Sequence, residues 1–365
     1  MKLPLRADLA GIEPYGAPQL HVPVVLNVNE NPYAPSPAVV RDIAAAVAAA
    51  AGGANRYPDR DFLDLRTDLA RYLAAESGVE VPPDRIWAAN GSNEVMLHLM
   101  QAFGGPGRCA LSFAPTYSMY PEYARDTFTQ WRVVERTADF AIDMAAAARA
   151  LADLHPAVVL VASPNNPTGG ATPLEQTAEL ARLAAGAGPD GADTLVVVDE
   201  AYGEFRRGGT PSALTLQGDF PHLVVTRTMS KAFGMAGLRL GYLVAEPSVV
   251  DALRIVRLPY HLSAVTQAAA RAALAHADEL MAQVGQLRDE RDALVGWLRA
   301  EGYQPVESDA NFVLFGPLPD RHAVWEALLA RGILIREVGP PGYLRVSVGT
   351  PEETAAFRAA LKEVT

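Results

Sequence analysis

Leu223-Val-Val-Thr-Arg-Thr-Met-Ser-Lys231 passes from an apolar run to a lysine set among hydroxyls, and Ala-Phe-Gly-Met-Ala-Gly-Leu-Arg-Leu-Gly-Tyr-Leu-Val244 continues it into a second apolar run. A lysine presented at a strand end beside hydroxyls and an arginine reads as a Schiff-base nucleophile. Similar near-continuous apolar runs occur at Ile86–Ala89, Arg108–Phe113, Ala157–Ala162, Leu195–Val198 and Leu240–Val244. Runs of that length suit strands buried on both faces, and the helical segments between them predict a mostly parallel α/β sheet. Ligands of such sheets bind beyond the carboxyl ends of the strands.

The chain has 365 residues, more than one core usually supports, so two domains are expected. Its formal charge of −11 argues against nucleic-acid and anionic-membrane partners, so any positive site must be local. The single cysteine, Cys109, excludes an internal disulfide framework and fits a reducing cytoplasm. No uncharged stretch reaches the length of a membrane span, and Met1-Lys-Leu-Pro-Leu-Arg6 has no apolar signal core. The seven histidines show no metal-ligand spacing with cysteine or acidic partners, so no metal is expected.

Prolines at 4, 14, 18, 23, 32 and 35 make residues 1–35 an extended arm. An Ala-rich helix follows from Ser36-Pro37 to about Ala51, stopped by Gly52-Gly53. The expected division is arm and first helix at 1–54, large domain at 55–262 and small domain at 263–365. In the last, one long helix over 263–301 precedes strands at 311–315, 333–336 and 343–347 and helices at 320–331 and from Pro351. Glu200 and Glu204, flanking Tyr202, read as a solvated helix start, and His261 falls in a segment that could line the substrate pocket.

Three strand ends deliver polar residues to one sheet edge: Ser163-Pro-Asn-Asn-Pro-Thr-Gly-Gly170, Asp199-Glu-Ala-Tyr202 and Arg227-Thr-Met-Ser-Lys231. Each alone is compatible with a turn or a helix cap. Together they supply what a pyridoxal phosphate site needs. Lys231 would form the imine, and Asp199 would keep the pyridine nitrogen protonated so that the ring accepts electrons. Asn166 and Tyr202 could donate to the ring oxygen. A helix beginning after Asn90-Gly91-Ser92-Asn93 would offer free N–H groups to the phosphate, and Thr228, Ser230 and Arg239 could complete that cradle. Tyr117, in Pro115-Thr-Tyr117, is a candidate for stacking on the ring or an ordinary core aromatic.

At this point the chain resembles the fold-type I pyridoxal phosphate aminotransferases, and within them the histidinol-phosphate aminotransferases. The resemblance rests on Asn27-Val-Asn-Glu-Asn-Pro32, Asn55-Arg-Tyr-Pro-Asp59, Ala89-Asn-Gly-Ser-Asn-Glu94, Ser163-Pro-Asn-Asn-Pro-Thr-Gly169 and Val198-Asp-Glu-Ala-Tyr202. It continues through Thr228-Met-Ser-Lys-Ala-Phe233 with Ala236-Gly-Leu-Arg-Leu-Gly-Tyr242, and Tyr343-Leu-Arg-Val346. It implies an α/β large domain on a mostly parallel sheet of the seven-stranded type, a smaller α+β domain and an N-terminal arm. By the same matching, Lys231, Asp199 and Tyr202 are catalytic. Gly91, Ser92, Asn93, Tyr117, Asn166, Thr228, Ser230 and Arg239 surround the cofactor. Tyr57 matches a tyrosine that reaches the cofactor phosphate of the neighbouring subunit, which implies a homodimer.

The substrate candidates are Tyr15, Asn166, Arg336 and Arg345. Arg345 matches an arginine that grips a substrate carboxylate, and Tyr15 one that contacts a substrate phosphate. Two guanidinium groups on one spot suit a phosphate near two negative charges better than a carboxylate. The implied reaction is transamination of histidinol phosphate with 2-oxoglutarate, giving imidazole acetol phosphate and glutamate by ping-pong kinetics, a step of histidine biosynthesis. Rival readings are an aromatic amino-acid aminotransferase, a threonine-phosphate decarboxylase and a cofactor-binding regulator without turnover.

Overall fold

A computed structural model describes residues 3–364, so Met1 and Lys2 of the N-terminal segment read above lie outside the described residues. In chain order the first elements are β1 (Val24–Val25), α1 (Pro37–Ala51), α2 (Leu63–Ser77), β2 (Ile86–Ala89), α3 (Ser92–Phe103), β3 (Cys109–Ala114) and α4 (Tyr120–Asp126). Next come β4 (Gln130–Glu135), α5 (Met144–Leu154), β5 (Val158–Ala162), α6 (Leu174–Ala184), β6 (Leu195–Asp199), β7 (Leu223–Thr228), β8 (Gly241–Val244) and α7 (Pro247–Val256). The chain ends with α8 (Ala264–Leu274), α9 (Ala277–Ala300), β9 (Phe312–Phe315), α10 (Arg321–Ala330), β10 (Ile333–Leu334), β11 (Leu344–Ser347) and α11 (Pro351–Val364).

The main sheet has seven strands in the order β2-β8-β7-β6-β5-β3-β4. Only β8 runs antiparallel to its neighbours. The inner strands are buried on both faces, as their apolar runs require. β4, Gln130-Trp-Arg-Val-Val-Glu135, was not legible as a strand: it lies at the sheet edge, four of its six residues are exposed, and it lacks a continuous apolar run. The register places Ala162 beside Asp199 and Asp199 beside Thr226, so β5 and β6 end level and β7 runs two residues further, to Thr228.

A second apolar cluster joins Val24 and Leu26 of the arm to Leu294, Val313, Phe315, Ile335, Val346 and Phe357. β1 pairs in parallel with β10, which ties the arm to this cluster. α9 serves both cores, sending Leu280, Val284 and Leu287 to the larger and Leu294, Val295 and Leu298 to the smaller. The single helix expected over 263–301 is instead two. Ala275-His276 breaks it, and His276 Nε2 lies 2.8 Å from Asp42 Oδ2 of α1, which packs along α8.

Glu200 and Glu204 are not solvated. Strand alternation turns Glu200 and Arg227 to the face opposite Asp199 and Thr226. There Arg227 meets Glu200 at 2.7 Å, Glu204 at 3.0 Å and Glu76 at 3.3 Å, and Arg206 meets Glu200 at 2.9 Å. Burial opposes the Arg227 charge, but the three glutamates outweigh it and hold its pKa well above the ordinary value. Removing one partner of such a cluster strands buried charge. Arg227→Met is expected to destabilise the fold by about 3–5 kcal/mol, read as a lowered midpoint in denaturant unfolding.

Candidate functional site

The carboxyl ends of β5, β6 and β7 open into a cleft of about 1100 Å³, its solvent-facing mouth included, roofed by the arm and by β11. Thirteen of the fifteen residues singled out from the sequence line it: Tyr15, Ser92, Asn93, Tyr117, Asn166, Asp199, Tyr202, Thr228, Ser230, Lys231, Arg239, Arg336 and Arg345. Gly91 sits immediately behind, at φ 86°, where an added Cβ would lie 2.7 Å from Arg239 Nη2. Tyr57 is elsewhere. It is 78% exposed and stacks on Tyr260 with ring centroids 4.4 Å apart.

Lys231 follows β7 and points its Nζ at the carbonyl of Val28, 2.8 Å away. Burial, reinforced by Arg345 and Arg239 and opposed only by Glu30, lowers its pKa from 10.5 to about 8. The amine is therefore partly neutral near physiological pH, the state a nucleophile needs. Asp199 closes β6 and is fully buried. It accepts hydrogen bonds from Tyr120 Oη at 2.9 Å, Thr226 Oγ1 at 3.0 Å and the Ala201 N–H at 3.2 Å. Burial pushes its carboxyl up, and those three donors offset part of the rise.

Tyr120 and Thr226 were missed in the sequence. Thr226 could have been found as the cross-strand neighbour of Asp199, but that register exists only once the strands are paired. Tyr120 lies three residues beyond Tyr117 and packs edge-on against its ring, with centroids 5.5 Å apart. Tyr117 is largely buried, which raises its pKa, and its hydroxyl is hydrogen-bonded to Asn93.

The N-terminus of α3 faces the cleft with Gly91 as its cap and no side chain satisfying its first N–H groups. Ser230 Oγ accepts from Arg239 Nη1 at 3.2 Å, and Ser230 N–H donates to Thr228 Oγ1 at 3.1 Å. β8 approaches so closely that a Cβ on Gly241 would meet the Ser92 nitrogen at 2.1 Å. Free N–H groups, two hydroxyls and a guanidinium thus converge at one end of the cleft, the donor set of an anion site.

The other end carries the two arginines. Their backbones form an antiparallel bridge with paired 2.9 Å hydrogen bonds, placing Arg336 and Arg345 directly opposite. Arg345 donates to Asn166 Oδ1 at 2.5 Å and to the Asn27 carbonyl at 2.9 Å, while its Nε is buried with no partner among the described residues. Burial lowers its pKa to about 10. No carboxylate among the described residues ion-pairs with Arg336. Tyr15 is 49% exposed and accepts from Ser118 Oγ at 3.2 Å, at the mouth. The loop after β5 satisfies both of its readings on adjacent residues: Asn165 braces the turn through Thr168, and Asn166 faces the cleft. His261 lies outside it, stacked on Trp87 with its Nε2 2.9 Å from the Ala88 carbonyl.

Relatives match this chain along nearly its whole length. The Aminotransferase class I and II family matches residues 22–361. A histidinol-phosphate aminotransferase of Thermobifida fusca (strain YX) is 60% identical over 363 residues, spanning 100% of this chain and 96% of that one. The crystal structure of histidinol-phosphate aminotransferase from Sinorhizobium meliloti in complex with pyridoxal-5'-phosphate superposes with a TM-score of 0.81 at 27% identity, covering 94% of this chain and 91% of that one. A single mutant of Thermus thermophilus aspartate aminotransferase superposes with a TM-score of 0.82 at 26% identity, covering 99% and 98%. With a sheet-edge lysine, a buried aspartate and paired arginines in one cleft, and relatives this close along its whole length, the chain belongs to the class I and II aminotransferases.

Proposed function

We propose that this protein transfers the amino group of L-histidinol phosphate to 2-oxoglutarate with pyridoxal 5'-phosphate as cofactor, acting as a cytoplasmic homodimer. One observation carries the substrate assignment: Arg336 and Arg345 stand opposite each other at the end of the cleft away from the α3 terminus, with no carboxylate among the described residues paired to Arg336. A second anion is thus invited at a distance from the first.

The residues present fit the cofactor. The N-terminus of α3 with Ser92, Asn93, Thr228, Ser230 and Arg239 would hold its phosphate, and Tyr117 would cover a ring face. Asp199 would pair with the ring nitrogen, a cation that would restore the charge burial disfavours. When bound, the group supplies an electron sink for the carbon that loses its proton. Lys231, with its amine partly neutral, removes that proton and returns it, and the cleft walls keep water from competing. Tyr202 and Asn166 would hold the ring oxygen, Arg345 and Arg336 would grip the substrate anion, and Tyr15 would meet it at the mouth. Tyr57, exposed and outside the cleft of its own chain, would serve the second protomer.

Lys231→Ala is expected to abolish turnover, measured as glutamate formation from both substrates. In protein freed of carbonyl compounds, labelling of Lys231 by an aldehyde and cyanoborohydride should rise with pH through a midpoint near 8, since only the neutral amine reacts. Steady-state kinetics with histidinol phosphate and with phenylalanine test the substrate. A preference for phenylalanine beyond about tenfold in kcat/KM, roughly 1.4 kcal/mol, would favour the aromatic aminotransferase instead. Arg336→Gln should cost about 10- to 100-fold in kcat/KM for histidinol phosphate and less for phenylalanine.

A further inference from the structure

Three consecutive residues of the arm address three groups of the cleft. The Asn27 carbonyl accepts from Arg345, the Val28 carbonyl accepts from Lys231, and Asn29 Nδ2 donates to the Tyr202 hydroxyl at 2.9 Å. Asn29 is 1% exposed and sits at φ 57°, a left-handed conformation that asparagine tolerates. Ser347 Oγ accepts from the Asn29 backbone N–H at 2.9 Å and donates to Asn29 Oδ1 at 3.0 Å. The Asn29 carbonyl accepts from Asn311 Nδ2 at 3.0 Å.

The amide is held from both ends. The Ser347 hydroxyl accepts the backbone N–H and gives its own proton to the amide oxygen. The amide nitrogen faces Tyr202. A phenol oxygen that accepts a hydrogen bond on one side has its own proton free for the other, and here the other side is the cleft, with Lys231 Nζ 6.0 Å from the ring centroid. Tyr202 is buried, so its proton has no water to turn to.

We propose that Asn29 is a positioning residue for the reaction: its amide occupies the acceptor side of the Tyr202 hydroxyl, so that the phenolic proton is aimed at the ring oxygen of the cofactor. Ser347, from β11, holds the amide in that orientation, and Asn311, from the loop before β9, holds the Asn29 backbone carbonyl. Ser347 lies two residues beyond Arg345 on the same face of β11, so one strand carries both the anion grip and the lock. The inference rests on the pyridoxal phosphate reading of the site. The other charged or titratable groups facing Tyr202 are Arg345 from β11, Asp199 from β6, Lys231 after β7 and Tyr15 from the arm. None of them can replace the amide, because none donates to the Tyr202 oxygen.

The test is the pH midpoint of the visible absorption of the holoenzyme, which reports how strongly the ring oxygen is held by a donor. Asn29→Gly removes the amide while keeping the backbone conformation accessible. It should raise the midpoint by about half a pH unit or more, because a weakened donor leaves the oxygen and its neighbouring nitrogen more basic. Ser347→Ala, which frees the amide to turn, should shift it the same way by less. In a Tyr202→Phe background, Asn29→Gly should add nothing further, since its effect passes through the phenol. The inference is overturned if Asn29→Gly and Ser347→Ala both titrate like the parent, or if the Asn29→Gly shift persists undiminished without the phenol. A parent protein that shows no visible band after incubation with pyridoxal phosphate would overturn the cofactor reading and this inference with it.

Discussion

Adjacent residues at the ends of β6 and β7 face opposite sides of the sheet, and both sides are buried. Asp199, Thr226 and Thr228 turn to the cleft, whereas Glu200 and Arg227 turn to the ion cluster behind it. A slip of β7 by one residue would exchange its two sets, putting Arg227 into the cleft and a threonine against the buried glutamates. The pairing is therefore specified twice, once by chemistry and once by charge. The cluster behind the sheet is expensive to bury in isolation, yet once assembled it resists any shift of the strands that present the site.

The cleft itself is a concentration of positive charge in a chain of net charge −11. Lys231, Arg239, Arg336 and Arg345 face Asp199 as the carboxylate on its wall. Burial lowers the pKa values of Lys231 and Arg345, and Arg345 keeps a buried N–H without a partner. Such a site is held ready for anions at a cost to the empty protein, a pattern usual where binding or catalysis is the purpose. The fold, shared with a single mutant of Thermus thermophilus aspartate aminotransferase, does not by itself specify a substrate.

The arm is part of the site. Its prolines keep it extended, and β1 and Leu26 fasten it to the second apolar cluster. Between those anchors, backbone carbonyls at 27 and 28 lie free to receive the arginine and the lysine. An extended segment offers its carbonyls sideways at each residue, which a helix would have consumed internally.

The apolar runs, the strand-end polar residues and the helix caps were legible in the chain because each is a local pattern. Buried parallel strands need continuous apolar stretches, and ligand chemistry needs lysine, aspartate and hydroxyls just after them. Six of the seven strands of the main sheet and the strand-end groups of the cleft follow from that. The edge strand β4 was not legible, because one exposed face removes the apolar continuity. Nor was the break between α8 and α9, which a side-chain contact from α1 secures. Most of all, the placement of Glu200 and Glu204, the donors Tyr120 and Thr226 on Asp199, and the grip of Asn29 on Tyr202 join residues up to 173 positions apart. The sequence by itself determined which chemistry stands at each strand end; only the tertiary structure decided which groups meet, because hydrogen-bond partners and buried charges are chosen by register and packing across the chain.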